Sequence, residues 1–181
     1  MRAMMSGSFK IATVSLCNKL MIAAGVRAGA ANLIKQIENV KVHGVSPVVA
    51  INAFPGDFKS EHDAIRKIAE AAGARVAVCT HFADGGKGAV ELARAVEEAC
   101  NEKNNFHFLY KSEASLKEKI ETVATTIYGA AKVEYSATAN KQLKNYTDNG
   151  FGHLPVCIAK THLSISGDAS LKGAPKGHTL N

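Results

Sequence analysis

The stretch from Pro47 to Gly88 limits the fold more than any other part of this chain. Val48 to Ile51 is a short, β-branched apolar run, the pattern of a buried strand in a parallel sheet. It ends at Asn52, and Phe54-Pro55-Gly56-Asp57 turns the chain, since proline fixes φ and glycine frees it. From Ser60 to Ala72 the apolar residues Ala64, Ile65, Ile68, Ala69 and Ala72 recur at helical spacing, and Gly73 marks the stop. Val76 to Cys79 is a second buried strand. The result is a strand-helix-strand unit whose strands both release polar and aromatic residues at their carboxyl ends. Ligands of open parallel sheets bind at those ends.

The flanking sequence extends the same alternation. Phe9, Ile11, Val14 and Leu16 suit a strand, which Leu20 to Ile22 either continue or replace with a helix. Ala28 to Val42 carries an apolar stripe (Ala31, Leu33, Ile34, Ile37, Val40, Val42) opposite polar residues, and His43-Gly44 ends this amphipathic helix. Ala89 to Cys100 is a further helix. Phe106 to Tyr110 alternates as a third short strand. Ser115 to Tyr128 is a helix with Ser115 as its N-cap and Gly129 as its stop; Ser136 to Asn149 is another, closed by Gly150. Pro155 to Ala159 reads as a last strand. The order predicts an α/β protein, a three-layer parallel sheet with flanking helices. Residues 1–29 form an illegible N-terminal segment, 30–163 the α/β domain and 164–181 a loop-rich tail.

Composition narrows the function. The formal charge of +6 fits either an anionic ligand or a solvated basic surface, but the basic residues are scattered without interleaved aromatics, so no nucleic-acid partner is expected. Cys17, Cys79, Cys100 and Cys157 form no Cys-x-x-Cys pair and have no histidine at metal-ligand spacing, which argues against a metal site. No run reaches the length of a membrane helix, and the N-terminus makes a poor signal peptide, so no membrane is expected and the cytoplasm is the expected location.

Several residues are placed to carry chemistry. Gly85-Gly86-Lys87-Gly88 precedes a helix and suits either anion binding by backbone N–H groups or a plain flexible turn. No Gly-x-x-x-x-Gly-Lys-Ser/Thr phosphate loop occurs, which counts against a self-contained nucleotide hydrolase. Phe54-Pro55 and Phe82 follow neighbouring strands and suit either the two walls of a slot for a heteroaromatic ring or loop anchors over the core. Asn52 suits a ligand hydrogen bond or an Asx-turn, and Asp57 a turn or cap. No nucleophile or carboxylate stands at a telling distance from His81, His153 or His162, and Lys160-Thr161 is a weak phosphate candidate.

The motifs at 48–57 (Val-Val-Ala-Ile-Asn-Ala-Phe-Pro-Gly-Asp), 83–93 (Ala-Asp-Gly-Gly-Lys-Gly-Ala-Val-Glu-Leu-Ala) and 106–110 (Phe-His-Phe-Leu-Tyr) resemble those of the formate–tetrahydrofolate ligases. So do 117–130, 150–161 (Gly-Phe-Gly-His-Leu-Pro-Val-Cys-Ile-Ala-Lys-Thr) and 171–177 (Leu-Lys-Gly-Ala-Pro-Lys-Gly), in the family's order. The resemblance implies a P-loop NTPase-like ligase that spends ATP, with Mg, to join formate to tetrahydrofolate by way of formyl phosphate, with no cofactor bound covalently. It implies a folate pocket using Phe54, Pro55, Val78 and Phe82, with Asn52 beside it. It also implies two departures: the family usually has Trp where Phe82 stands and Arg where Ala53 stands. The family's enzymes are about three times as long, so the expectation is a central-to-late slice of the ligase. Such a slice lacks the P-loop portion and is inactive alone. It either requires that portion or self-associates; the alternative is a non-catalytic module that binds folate or a nucleotide or acts as a scaffold.

Overall fold

A computed structural model describes residues 12–14, 25–26, 29–103, 105–159, 165–166, 168 and 170–181. Three parallel strands, β1 (Ala12–Val14), β2 (Val48–Asn52) and β3 (Arg75–Cys79), lie side by side in the order β1-β2-β3. Val49 stands opposite Ala12 on one side and Val76 on the other, and the ladder closes with Asn52 opposite Cys79. The central position of β2 explains its composition. Val48, Val49, Ala50 and Ile51 are all buried, as a strand covered on both faces requires.

Helices α1 (Ala31–Lys41) and α2 (Lys59–Ala71) cover one face of these strands. Leu33 and Ile37 of α1 and Ala64, Ile65 and Ala69 of α2 join Val49 and Ile51 in one apolar cluster, with Val76 and Val78 at its edge. After β3 come a single helical turn, α3 (His81–Asp84), a 3₁₀ turn (Gly85–Ala89) and α4 (Val90–Asn101), which packs along β3 and β2. Arg75, at the start of β3, pairs with Glu102 just beyond α4 and lies 3.7 Å from Glu98, while Ser46 Oγ donates to the same Glu102 carboxylate. The Arg75 hydrogen bond, and then that of Ser46, hold the Glu102 carboxyl down to about 2. These residues belong to the first of two compact units, Met1–Phe106 and His107–Asn181.

In the second unit, α5 (Leu116–Thr126) and α6 (Ala137–Asp148) begin at Ser115 and Ser136, whose hydroxyls accept from the amides of Glu118 and Ala139. Glu118 returns the bond by accepting from the Ser115 amide at 2.7 Å, completing a capping box. Both helices end where the sequence stops them, with Gly129 and Gly150 at positive φ.

The strands expected at 106–110 and 155–159 are corrected, since neither segment forms a ladder. Period-2 alternation describes a surface, but a strand also needs a neighbour for its N–H and C=O groups. At 155–159 side chains supply those partners instead. The Val156 amide donates to Tyr110 Oη at 2.9 Å, and Tyr128 Oη donates to the Ile158 carbonyl at 2.7 Å. Just upstream, Lys119 reaches out of α5 and donates to the carbonyls of Gly152 (2.7 Å) and Leu154 (3.2 Å). Its side chain is fully buried, so this ammonium is solvated by backbone oxygen in place of water. Burial also pushes the Tyr128 phenol up, which keeps it a donor.

The end of the chain is more ordered than its glycine-rich composition suggests. β4 (Lys132–Val133) and β5 (Thr179–Leu180) pair in parallel, and the Gly177 amide donates to the Gly129 carbonyl at 2.8 Å. Among the described residues no helix is long and apolar enough to cross a membrane. Lys160, Thr161 and His162, and most of the expected first strand, lie outside the described residues.

Candidate functional site

The carboxyl ends of β2 and β3 lie next to each other, so whatever follows each strand meets the other. Beyond Asn52 the Ala53 amide still donates to the Cys79 carbonyl at 2.9 Å, carrying the register past the strand end. The chain then turns through Pro55 and Gly56, and Gly56 has φ of 100°, where a side chain would be strained. Asp57 fastens this turn, its carboxylate accepting from the Phe54 amide at 2.8 Å while its own amide donates to the Phe54 carbonyl at 3.1 Å. Asp57 is therefore a turn residue. Phe54 is held at a defined place beside the end of β3.

Phe82 comes from the other side on α3. Its ring centroid lies 5.2 Å from that of Phe54, with the planes inclined at 56°. The two rings are 39% and 65% exposed, so an apolar aromatic pair faces solvent at the strand ends. A ring sandwiched between two others needs their planes about 7 Å apart, twice a carbon–carbon contact of about 3.5 Å. The two phenylalanines in this arrangement pack against each other, and Phe82 is the more exposed.

The other expected residues are distributed around this pair. Asn52 is the last residue of β2, and its Oδ1 is buried with no hydrogen-bond partner among the described residues. Pro55 is exposed in the turn, while Val78 packs against the apolar cluster beneath. Gly85, Gly86, Lys87 and Gly88 form the 3₁₀ turn that leads to α4, all but the half-buried Gly88 exposed. The Gly88 carbonyl accepts from the Thr80 amide at 3.0 Å, which folds the turn back on the end of β3. A Cβ on Gly88 would stand 2.5 Å from Thr80 Oγ1 and 2.8 Å from the His81 nitrogen, so packing alone requires glycine there. Gly85, at φ 56° and ψ −140°, needs glycine for its backbone angles. Gly86 has open space around it.

One contact at this site was not legible as such. His81 Nδ1 lies 3.1 Å from Cys79 Sγ, the cysteine buried and the histidine exposed. The signal was a Cys-x-His at a strand end, in a chain that leaves extended geometry at Thr80 (ψ 24°). His153, by contrast, is a local brace whose Nδ1 donates to the Gly150 carbonyl at 2.8 Å. A separate apolar groove of about 690 Å³ lies in the second unit, lined in part by Ile120, Ala124, Tyr135, Val156, Ile158 and Leu180.

In open parallel sheets the strand ends, where this aromatic pair lies, are the usual place for a ligand. Comparison with known proteins makes this specific. The family model described as formate–tetrahydrofolate ligase matches residues 4–181. A formate–tetrahydrofolate ligase of Saccharopolyspora erythraea is 61% identical over 155 residues, covering 86% of this chain and 27% of that protein. Formate–tetrahydrofolate ligase 3 of Rubrobacter xylanophilus is 58% identical over 165 residues, covering 86% of this chain and 29% of its own length. The mitochondrial C-1-tetrahydrofolate synthase of Saccharomyces cerevisiae is 50% identical over 156 residues, covering 86% of this chain and 16% of that protein. The chain belongs to the formate–tetrahydrofolate ligase family, and it spans less than a third of the length of these relatives.

Proposed function

We propose that this chain is a segment of an ATP-dependent ligase that joins formate to tetrahydrofolate to give 10-formyltetrahydrofolate, and that it contributes the pocket for the folate ring. The juxtaposition of Phe54 and Phe82 at the ends of β2 and β3 carries the reading. A bicyclic ring laid against Phe82 exchanges water contact for stacking on one face, and one inserted between Phe82 and Phe54 after the two rings separate does so on both. Asn52, at the floor of the site, brings an unsatisfied carbonyl oxygen suited to an N–H of the ring. Pro55 and the edge of Val78 complete the apolar surroundings.

In this reading the fold is a portion of a three-layer, P-loop NTPase-like ligase working in one-carbon metabolism in the cytoplasm. ATP and formate are substrates of the whole enzyme. The sequence has no phosphate loop, and among the described residues no group of three His, Cys, Asp or Glu side chains could hold a metal. We therefore assign no residue to the Mg²⁺ that accompanies ATP, and in this reading ligation requires the remainder of the enzyme. Exposed Lys87 and the glycines around it remain the candidate for an anionic part of a substrate. Phe106 and Phe108 in addition expose large apolar surfaces, 50% and 66% respectively, which fits association with the remainder of such a ligase or with another copy.

Titration calorimetry of the chain with tetrahydrofolate, repeated on Phe82→Ala, tests the proposal. Saturable binding that weakens in the variant is the expected result. A folded chain that binds no tetrahydrofolate, or binds it equally well without the Phe82 ring, would sink it.

A further inference from the structure

The contact between Cys79 and His81 has a consequence for recognition at this site. Cys79 is buried, and its thiol lies 3.1 Å from His81 Nδ1, short for a sulfur–nitrogen pair. The contact admits two arrangements: S–H donates to Nδ1 with the ring proton on Nε2, or Nδ1–H donates to the sulfur and leaves Nε2 an acceptor. The first arrangement gives the buried thiol hydrogen an acceptor and puts the ring N–H at Nε2, and the buried sulfur holds the ring that carries it. His81 itself is exposed and begins the same helical turn as Phe82.

We infer that His81, held by Cys79, presents Nε2–H as a fixed hydrogen-bond donor to a carbonyl oxygen on the edge of a pterin-type ring stacked at Phe82. His81 is then a specificity-determining residue and Cys79 a positioning residue that acts through it. This rests on the folate-pocket reading above. It adds a polar requirement that stacking does not supply. Stacking accepts any flat ring, whereas a directed N–H favours a ring with an acceptor at that edge and penalises an analogue lacking one. Thr80 makes the arrangement possible. Its backbone leaves the extended region, and its hydroxyl donates to Asp84 at 2.7 Å, so the turn carrying His81 and Phe82 is fastened at both ends.

The experiment compares tetrahydrofolate binding by calorimetry in the wild-type chain, His81→Gln, His81→Asn, Cys79→Ala, Cys79→Ser and Phe82→Ala. The amide nitrogen of Gln reproduces the position of Nε2 and that of Asn the position of Nδ1. His81→Gln should bind within about threefold of wild type and His81→Asn about tenfold more weakly, the scale of one lost hydrogen bond. Cys79→Ala should weaken binding, and Cys79→Ser, whose hydroxyl also donates to Nδ1, should restore it. Long-range ¹⁵N NMR of the unliganded chain should show the His81 proton on Nε2, and a proton on Nδ1 alone would overturn the inference. Equal affinities for the Gln and Asn variants, whether both strong or both weak, would overturn it as well. If Phe82→Ala still weakens binding in that case, the folate pocket itself stands. A wild-type chain that fails to bind removes the pocket reading and this inference with it.

Discussion

The Thr80 amide donates to the Gly88 carbonyl at 3.0 Å, and the Gly88 α-carbon lies so close that a Cβ there would stand 2.5 Å from Thr80 Oγ1. This contact closes the loop that carries both His81 and Phe82. Gly88→Ala should therefore open it, at a cost of about 1–3 kcal/mol for overpacking against backbone. Gly86→Ala, which meets no atom within 4 Å, should be neutral or stabilise by about 0.4–1 kcal/mol through the unfolded chain. Urea denaturation of the two variants separates them. Equal stabilities would mean that the loop yields freely and that glycine at 88 serves something other than closure.

At position 82 ring size should set affinity. Phe82 is 65% exposed, so enlarging it disturbs little of the core. Phe82→Trp adds stacking area and should tighten tetrahydrofolate binding about two- to tenfold, while Phe82→Ala should weaken it about tenfold. Both are read by calorimetry. Weaker binding in the tryptophan variant would show that the space beside Phe54 is limited and that the ring does not stack as proposed.

Local signals made much of the framework legible in the sequence. The apolar stripes of α1, α2 and α5, the serines at 115 and 136, and the glycines at 44, 73, 129 and 150 mark element boundaries by chemistry that acts within a few residues. Residues 106–110 and 155–159 alternate as strands do, yet the amide of Val156 and the carbonyl of Ile158 are met by tyrosine hydroxyls from distant positions, which no local pattern reveals. Lys119 stands three residues after Leu116 and four before Val123 on the apolar side of its helix, where the local pattern does not show what receives its charge. The carbonyls that receive it are tertiary. Within the site, the approach of Phe54 to Phe82 followed from placing two strands side by side. The Cys79–His81 contact depended on the backbone turning at Thr80, and composition does not encode that angle.

Lys119 supplies a test of how the segment beyond α6 is held. Lys119→Met keeps most of the aliphatic stem and removes the donors to Gly152 and Leu154. Hydrogen bonds from a charged group contribute about 1.5–3 kcal/mol, and relief from burying the ammonium offsets part of their loss. A net destabilisation of about 1–3 kcal/mol is expected. Hydrogen exchange should report faster opening at 150–158, while β2 and β3 retain their protection. Loss of protection across both units together would show that Lys119 is not a local tie.

Glu102 should govern an acid-dependent part of stability in the first unit. Its ordinary value of 4.5 is lowered to about 2 in the folded chain, first by the Arg75 hydrogen bond and then by that of Ser46. Because the folded value lies below the unfolded one, the unfolded chain takes up the proton first as pH falls. The stabilisation is complete above about 4.5 and lost as pH drops through about 2. Glu102→Gln removes the charge at every pH. Its melting temperature should fall below that of wild type at neutral pH, by a small amount because the pair is solvent-exposed, and the two curves should converge toward pH 2. Thermal melts at intervals across this range would show it. A constant separation between wild type and variant would mean that the Arg75–Glu102 pair contributes no proton-linked stability, leaving apolar contacts to hold α4 against β3.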